Sequence, residues 1–166
     1  MKKSRLASSV DWKDGDIDGC EFTPLSFHND GRGWLVEIFR TDELNASHHP
    51  VMAYISETNP GQARGPHEHT SQSDLFAFFS GTIRLYMWDA RSESATYGVR
   101  SVRLVGEADP CTVMIPPGVV HAYRNDGTTP ALILNCPNRL YAGPGKAEQV
   151  DEIRHEDSDS SIFKLE

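Results

Sequence analysis

The chain has 166 residues, 16 basic against 24 acidic, for a net charge of −8 with histidines neutral. That length suits one domain with a proper core. The charge argues against nucleic acid or an anionic membrane as the main partner, while local arginines could still hold a small anion.

No apolar run reaches membrane-spanning length, and Met1-Lys2-Lys3-Ser4 opens no secretory signal. Cys20, Cys111 and Cys136 share no metal spacing, so reduced thiols in a cytoplasmic protein are expected. Residues 1–20 form a polar, Asp-rich arm expected to pack loosely or along a neighbour. Trp34–Phe39 alternates and is β-prone, and Thr41-Asp42-Glu43-Leu44 suggests a short helical turn.

Short apolar runs broken by turn residues follow. They are Val51–Ser56, Leu75–Phe79, Thr82–Trp88, Cys111–Ile115, Val119–Tyr123 and Ala131–Asn135. Many short strands at this spacing predict an all-β sandwich or barrel over residues 21–145. Tyr86, Trp88, Phe76 and Phe78 read as its wall. Residues 146–166 form a charged tail with Ile162, Phe163 and Leu165 as anchors, and its 148–156 stretch reads as solvated surface.

The chemistry concentrates in two places. On an extended strand His67 and His69 point the same way, and Asp74 follows at the start of an apolar run. His121 comes straight after the turn Pro116-Pro117-Gly118. Three imidazoles and a carboxylate suit a divalent transition metal (Zn, Fe, Mn or Ni), and no organic cofactor is called for. The same groups could equally move protons. Asp74 could instead be a surface carboxylate paired with Arg124 or Arg84. Arg64 and Arg32 carry guanidinium forks that match phosphate oxygens.

The two stretches resemble the motifs of the cupin superfamily, which implies a double-stranded β-helix, the jelly-roll barrel. Gly61, His67, His69, Asp74 and Gly81 match the first motif, with Asp for Glu; Pro116, Gly118, His121 and Asn125 match the second. Asp30-Gly31-Arg32-Gly33-Trp34-Leu35-Val36-Glu37, Arg64-Gly65-Pro66-His67, Ser80-Gly81-Thr82-Ile83, Trp88-Asp89-Ala90-Arg91 and Ile115–His121 further resemble one branch. That branch holds the dTDP-4-dehydrorhamnose 3,5-epimerases and the dTDP-4-keto-6-deoxyhexose ketoisomerases.

The resemblance implies a homodimer acting on a nucleotide-linked keto-sugar by moving a proton next to the carbonyl. His67 and His69 would be bases or ligands, and Arg32, Glu37 and Arg64 substrate contacts, with Arg32 and Glu37 reaching across the dimer. Departures accompany it. Asp74 stands where the epimerases have a lysine, and Leu134 or Asn135 where they have an acid tyrosine. Their polar substrate contacts fall on Met52 and Tyr54. The aspartate that supports their catalytic histidine lies in a C-terminal segment with no expected counterpart here, and Arg154-His155-Glu156-Asp157 is assigned no chemistry. Ketone isomerisation is therefore easier to support than 3,5-epimerisation. A metal-dependent oxygenase and a non-catalytic small-ligand binder are the other readings.

Overall fold

The structure, a computed structural model, describes residues 10–166; the arm's first nine residues lie outside the described residues. Thirteen strands follow in chain order. They are β1 Lys13–Asp14, β2 Glu21–Pro24, β3 Phe27–Asp30, β4 Gly33–Val36, β5 Tyr54–Thr58, β6 Ala63–Glu68 and β7 Asp74–Phe78. After these come β8 Thr82–Asp89, β9 Val99–Gly106, β10 Cys111–Ile115, β11 Val119–Asn125, β12 Ala131–Asn135 and β13 Ile153–Arg154.

One sheet has the order β1-β9-β8-β11-β6-β13, the other β2-β10-β7-β12-β5, and β3 pairs with β4 as a separate hairpin. Every pairing is antiparallel except β1 with β9. This is the expected all-β jelly roll.

Alternation along β8 decides where the core lies. Ile83, Leu85 and Met87 point between the sheets and meet Phe76 and Phe78 of β7, Val113 of β10 and Tyr123 of β11. Tyr86 and Trp88 point to the opposite face, where Val120 and Ala122 join them. Left open, that face would expose two large rings. The chain ends cover it: Phe163 sits against Trp88 at 5.6 Å and against Trp12 at 5.6 Å. Burying one such ring is worth about 1.5–3 kcal/mol.

Three expectations change here. The described part of the arm is not loose, because Lys13 and Asp14 pair with β9 and Ile17 enters the core. Residues 41–44 turn without forming a helix; a single-turn 3-10 element follows at Ala46–His48, capped by the Asn45 side chain. Strand β9 was not anticipated, since Arg100 and Arg103 interrupt its apolar pattern. Both pair with aspartates of the arm.

Candidate active site

β6 and β11 lie side by side, with His67 directly opposite His121. Between His121 and Tyr123 the register slips, leaving an extra β6 residue in that interval. Gly65 makes the slip possible. Its φ is +80°, and a Cβ there would lie 2.6 Å from the His121 carbonyl oxygen. The bulge brings three imidazoles together, with ring centroids 4.5 Å apart for His67 and His121 and 5.5 Å for His67 and His69. One nitrogen from each of His67, His69 and His121 lies within 4.8 Å of the other two.

Asp74, at the first position of β7, comes in from the other sheet and is 1% exposed. Its Oδ2 is 3.0 Å from His69 Nε2 and 3.4 Å from His121 Nε2. The far nitrogens fix both rings. His121 Nδ1 donates to the Val119 carbonyl at 3.1 Å, and His69 Nδ1 donates to the Asp151 carbonyl. A carbonyl oxygen only accepts, so each Nδ1 carries a hydrogen and each Nε2 is turned to Asp74. Asp74 Oδ2 and His121 Nε2 are nevertheless buried without a properly aligned hydrogen bond.

The electrostatics follow from this packing. Burial pushes Asp74 upward, but His121 and His69 outweigh it and hold the carboxyl well below the usual range. Burial also pushes His69 down, yet Asp74 and the Asp151 carbonyl hold it up at about 9. His67 has no partner at hydrogen-bond distance among the described residues. Burial, with His121 and His69 beside it, pushes its pKa down to about 2, so it is neutral with a free lone pair.

A polar chain extends from Asp74. Its Oδ1 accepts from Gln72 Nε2 at 2.9 Å and from Asn135 Nδ2 at 2.9 Å, and Asn135 Nδ2 also donates to the Tyr54 hydroxyl at 2.9 Å. Gln72 thus touches both Asp74 and His69.

The tail belongs to the site, against expectation. The Asp151 carboxylate accepts the backbone N–H groups of Thr70, Ser71 and Gln72, each at 2.9 Å. β13 then pairs with β6, Arg154 opposite His67, and Glu156 comes to 4.0 Å from His67 Nδ1. A carboxylate behind His67 is therefore present. It was missed because only the β13–β6 pairing brings it there, and no local pattern in the sequence announces that pairing.

The four residues expected to cluster do so, while Arg32 and Glu37 do not join them. The Arg32 side chain is 91% exposed on the β3–β4 hairpin and pairs with Asp30, and Glu37 is exposed 4.0 Å from Arg40. Arg64 lines the cleft, with its guanidinium on the Glu57 carbonyl at 2.9 Å and Thr58 Oγ1 at 3.3 Å. Arg84 and Arg124 both bond Asp126, so neither pairs with Asp74. The cleft has a volume of about 1350 Å³, and Tyr54, Tyr123, Arg139, Tyr141 and Arg154 also line it.

Comparisons with known proteins agree on one family. Residues 14–162 match the family described as dTDP-4-dehydrorhamnose 3,5-epimerase. The chain is 36% identical over 146 residues to the spore coat polysaccharide biosynthesis protein SpsL of Bacillus subtilis, covering 88% of this chain and 93% of SpsL. It is 35% identical over 127 residues to the probable low-salt glycan biosynthesis epimerase Agl13 of Haloferax volcanii, covering 76% of this chain and 81% of Agl13. Among solved structures, the dTDP sugar isomerase of Desulfovibrio desulfuricans G20 superposes with a TM-score of 0.78 at 24% identity, covering 90% of this chain and 91% of that one. The epimerase RmlC of Legionella pneumophila, solved in complex with dTDP-4-keto-L-rhamnose, superposes with a TM-score of 0.73 at 19% identity, covering 91% and 80%. With that coverage and those identities, this chain belongs to the dTDP-4-dehydrorhamnose 3,5-epimerase family, on a cupin jelly roll.

Proposed function

We propose that the protein is a sugar-nucleotide isomerase that moves a proton next to the ketone of a 4-keto-6-deoxy sugar, dTDP-linked in keeping with the family's description. The observation that carries this reading is the geometry at His67, whose imidazole lines the cleft with Glu156 4.0 Å from its Nδ1. A ring that has taken a proton from carbon becomes an imidazolium, and Glu156 is the group placed to stabilise it. The cleft is larger than the roughly 300–1,000 Å³ typical of small-molecule pockets, leaving room for a nucleotide beside the sugar. Arg64, Arg139 and Arg154 line it and can meet a diphosphate. The test is conversion: incubated with dTDP-4-keto-6-deoxyglucose, the protein should form an isomeric keto-sugar nucleotide visible by proton NMR, and His67→Ala should not. Unchanged substrate with the native protein contradicts the proposal.

A metal-assisted form of the reaction is favoured by one specific feature. His69 and His121 each spend Nδ1–H on a backbone carbonyl, the arrangement that aims the other nitrogen at a metal. Asp74 Oδ2 and His121 Nε2 are buried and unpaired beside it. His69, Asp74 and His121 would hold a divalent transition metal, with His67 left free as the base, and such an ion would supply Lewis-acid polarisation of the ketone oxygen. Elemental analysis of tag-free protein should then find about one equivalent of metal per chain, lost in His121→Ala. Full activity in metal-free protein overturns this form and leaves the proton-transfer reading standing.

We also propose a homodimer working in the cytoplasm, where Cys20, Cys111 and Cys136 stay reduced. β5 is an open edge of its sheet, and Ile55 on it and Leu132 on the adjoining strand are exposed. The dimer proposal assigns Arg32 and Glu37, which do not join their own chain's cleft, to the partner's cleft.

A further inference from the structure

Tyr54 and His67 line the same cleft from opposite sheets: Tyr54 opens β5 of the five-stranded sheet, and His67 lies on β6 of the six-stranded one. Tyr54 stands in register directly across from Asn135. The Asn135 amide is committed, because its Nδ2 donates both to Asp74 Oδ1 and to the Tyr54 oxygen, each at 2.9 Å. Turning that amide over would set its oxygen against an ionised carboxylate, so charge fixes its orientation. The Tyr54 oxygen therefore accepts, and the phenol's own proton has no acceptor among the described residues.

Tyr123, which also lines the cleft, differs. It is 4% exposed and lies 3.1 Å from Ser56 Oγ, which can take its proton as an acceptor. Tyr54 is 46% exposed, which leaves its ring open to the cavity. Burial of the hydroxyl, opposed by the Asn135 bond and helped by the charge of Asp74, pushes it up to about 12, so it stays protonated at neutral pH.

We infer that Tyr54 is the proton donor of this site, acting on the face of the substrate opposite to His67. The inference rests on the isomerase reading above and deepens it. His67 takes the proton from the carbon next to the ketone, and the C–H electron pair becomes the C=C bond of an enolate. That pair then takes the Tyr54 proton on the other face, the phenol O–H bond breaks to leave a phenolate, and the ketone is restored. The carbon is inverted. His67 returns its proton to water and the phenolate recovers one from water, so no oxidant or reductant enters. Proton delivery from the opposite wall makes the reaction an epimerisation rather than a migration of the carbonyl.

Tyr54→Phe keeps the ring and removes only the hydroxyl, and a matching melting curve checks that the fold is intact. In heavy water, NMR with dTDP-4-keto-6-deoxyglucose reads two events separately: exchange of hydrogen next to the ketone, and appearance of the inverted sugar. The native protein should do both. Tyr54→Phe should go on exchanging with retention near the native rate while inversion falls by about a hundredfold or more. Inversion at the native rate in Tyr54→Phe overturns the assignment, as does equal loss of exchange and inversion. A native protein that does neither sinks the isomerase reading, and Tyr54's role falls with it.

Discussion

Two buried aspartates differ in how their oxygens are used, and that difference separates structure from chemistry. Asp89 is fully buried, and its oxygens accept from Arg91, Ser94 and Thr96. Burial raises its pKa, but those donors outweigh it and hold the group at about 2. The lowered value fixes the sign: the stabilisation is complete above the unfolded pKa near 4 and disappears as pH falls through about 2. It amounts to about 2 kcal/mol. Asp89→Asn should lose that amount in urea unfolding at pH 7 and flatten the acid limb between pH 4 and 2. Asp74 instead keeps one oxygen unpaired beside two imidazoles. Asp74→Asn retains an acceptor for Gln72 and Asn135 and removes the charge, so turnover should fall by about a hundredfold or more. Its urea midpoint should move less than that of Asp89→Asn.

At the scale of elements, the site is a meeting of strand ends, and pairing decides what arrives. β6 and β11 bring His67 and His121, β7 brings Asp74, and the turn after β13 brings Glu156. The histidines and Asp74 were legible in the sequence because each sits in a short motif with fixed spacing, and a strand's two-residue period says which side chains share a face. Glu156 and Asp151 were not legible, because their place depends on a two-residue strand added to β6 from some eighty residues away. Tyr54 was visible only as a departure from an expected contact. Its meaning lies in the register that sets it across from Asn135, one of the two positions, with Leu134, where the resemblance expects a tyrosine. The strand edges were read with mixed success for a related reason: alternating apolar runs marked β10 and β12, while the arginines of β9 hid its period. Asp151 tests the tail's role. Asp151→Ala removes the acceptor for three backbone N–H groups, so β13 should loosen. Hydrogen exchange at residues 152–156 should then quicken and kcat fall, while exchange in β10 stays protected.

At the scale of the whole molecule, β5 is an exposed edge of the five-stranded sheet. Exposed Ile55 is 64% accessible on β5, and Leu132 lies on the adjoining strand. The proposed dimer would cover them, so Ile55→Arg should shift sedimentation from dimer to monomer. Arg32→Ala should leave the dimer intact and raise KM, because Arg32 is absent from its own chain's cleft and could reach only a neighbour's. A native protein that sediments as a monomer contradicts both outcomes. The acid, the base and the carboxylate behind the base come from opposite sheets and the tail, so the folded barrel as a whole aligns them. The central claim is that His67 removes a proton from carbon. The most direct measurement is deuterium incorporation next to the ketone of dTDP-4-keto-6-deoxyglucose in heavy water, comparing the native protein with His67→Ala. The native protein should label C3 or C5 and His67→Ala neither, whereas labelling by His67→Ala at the native rate would contradict the claim.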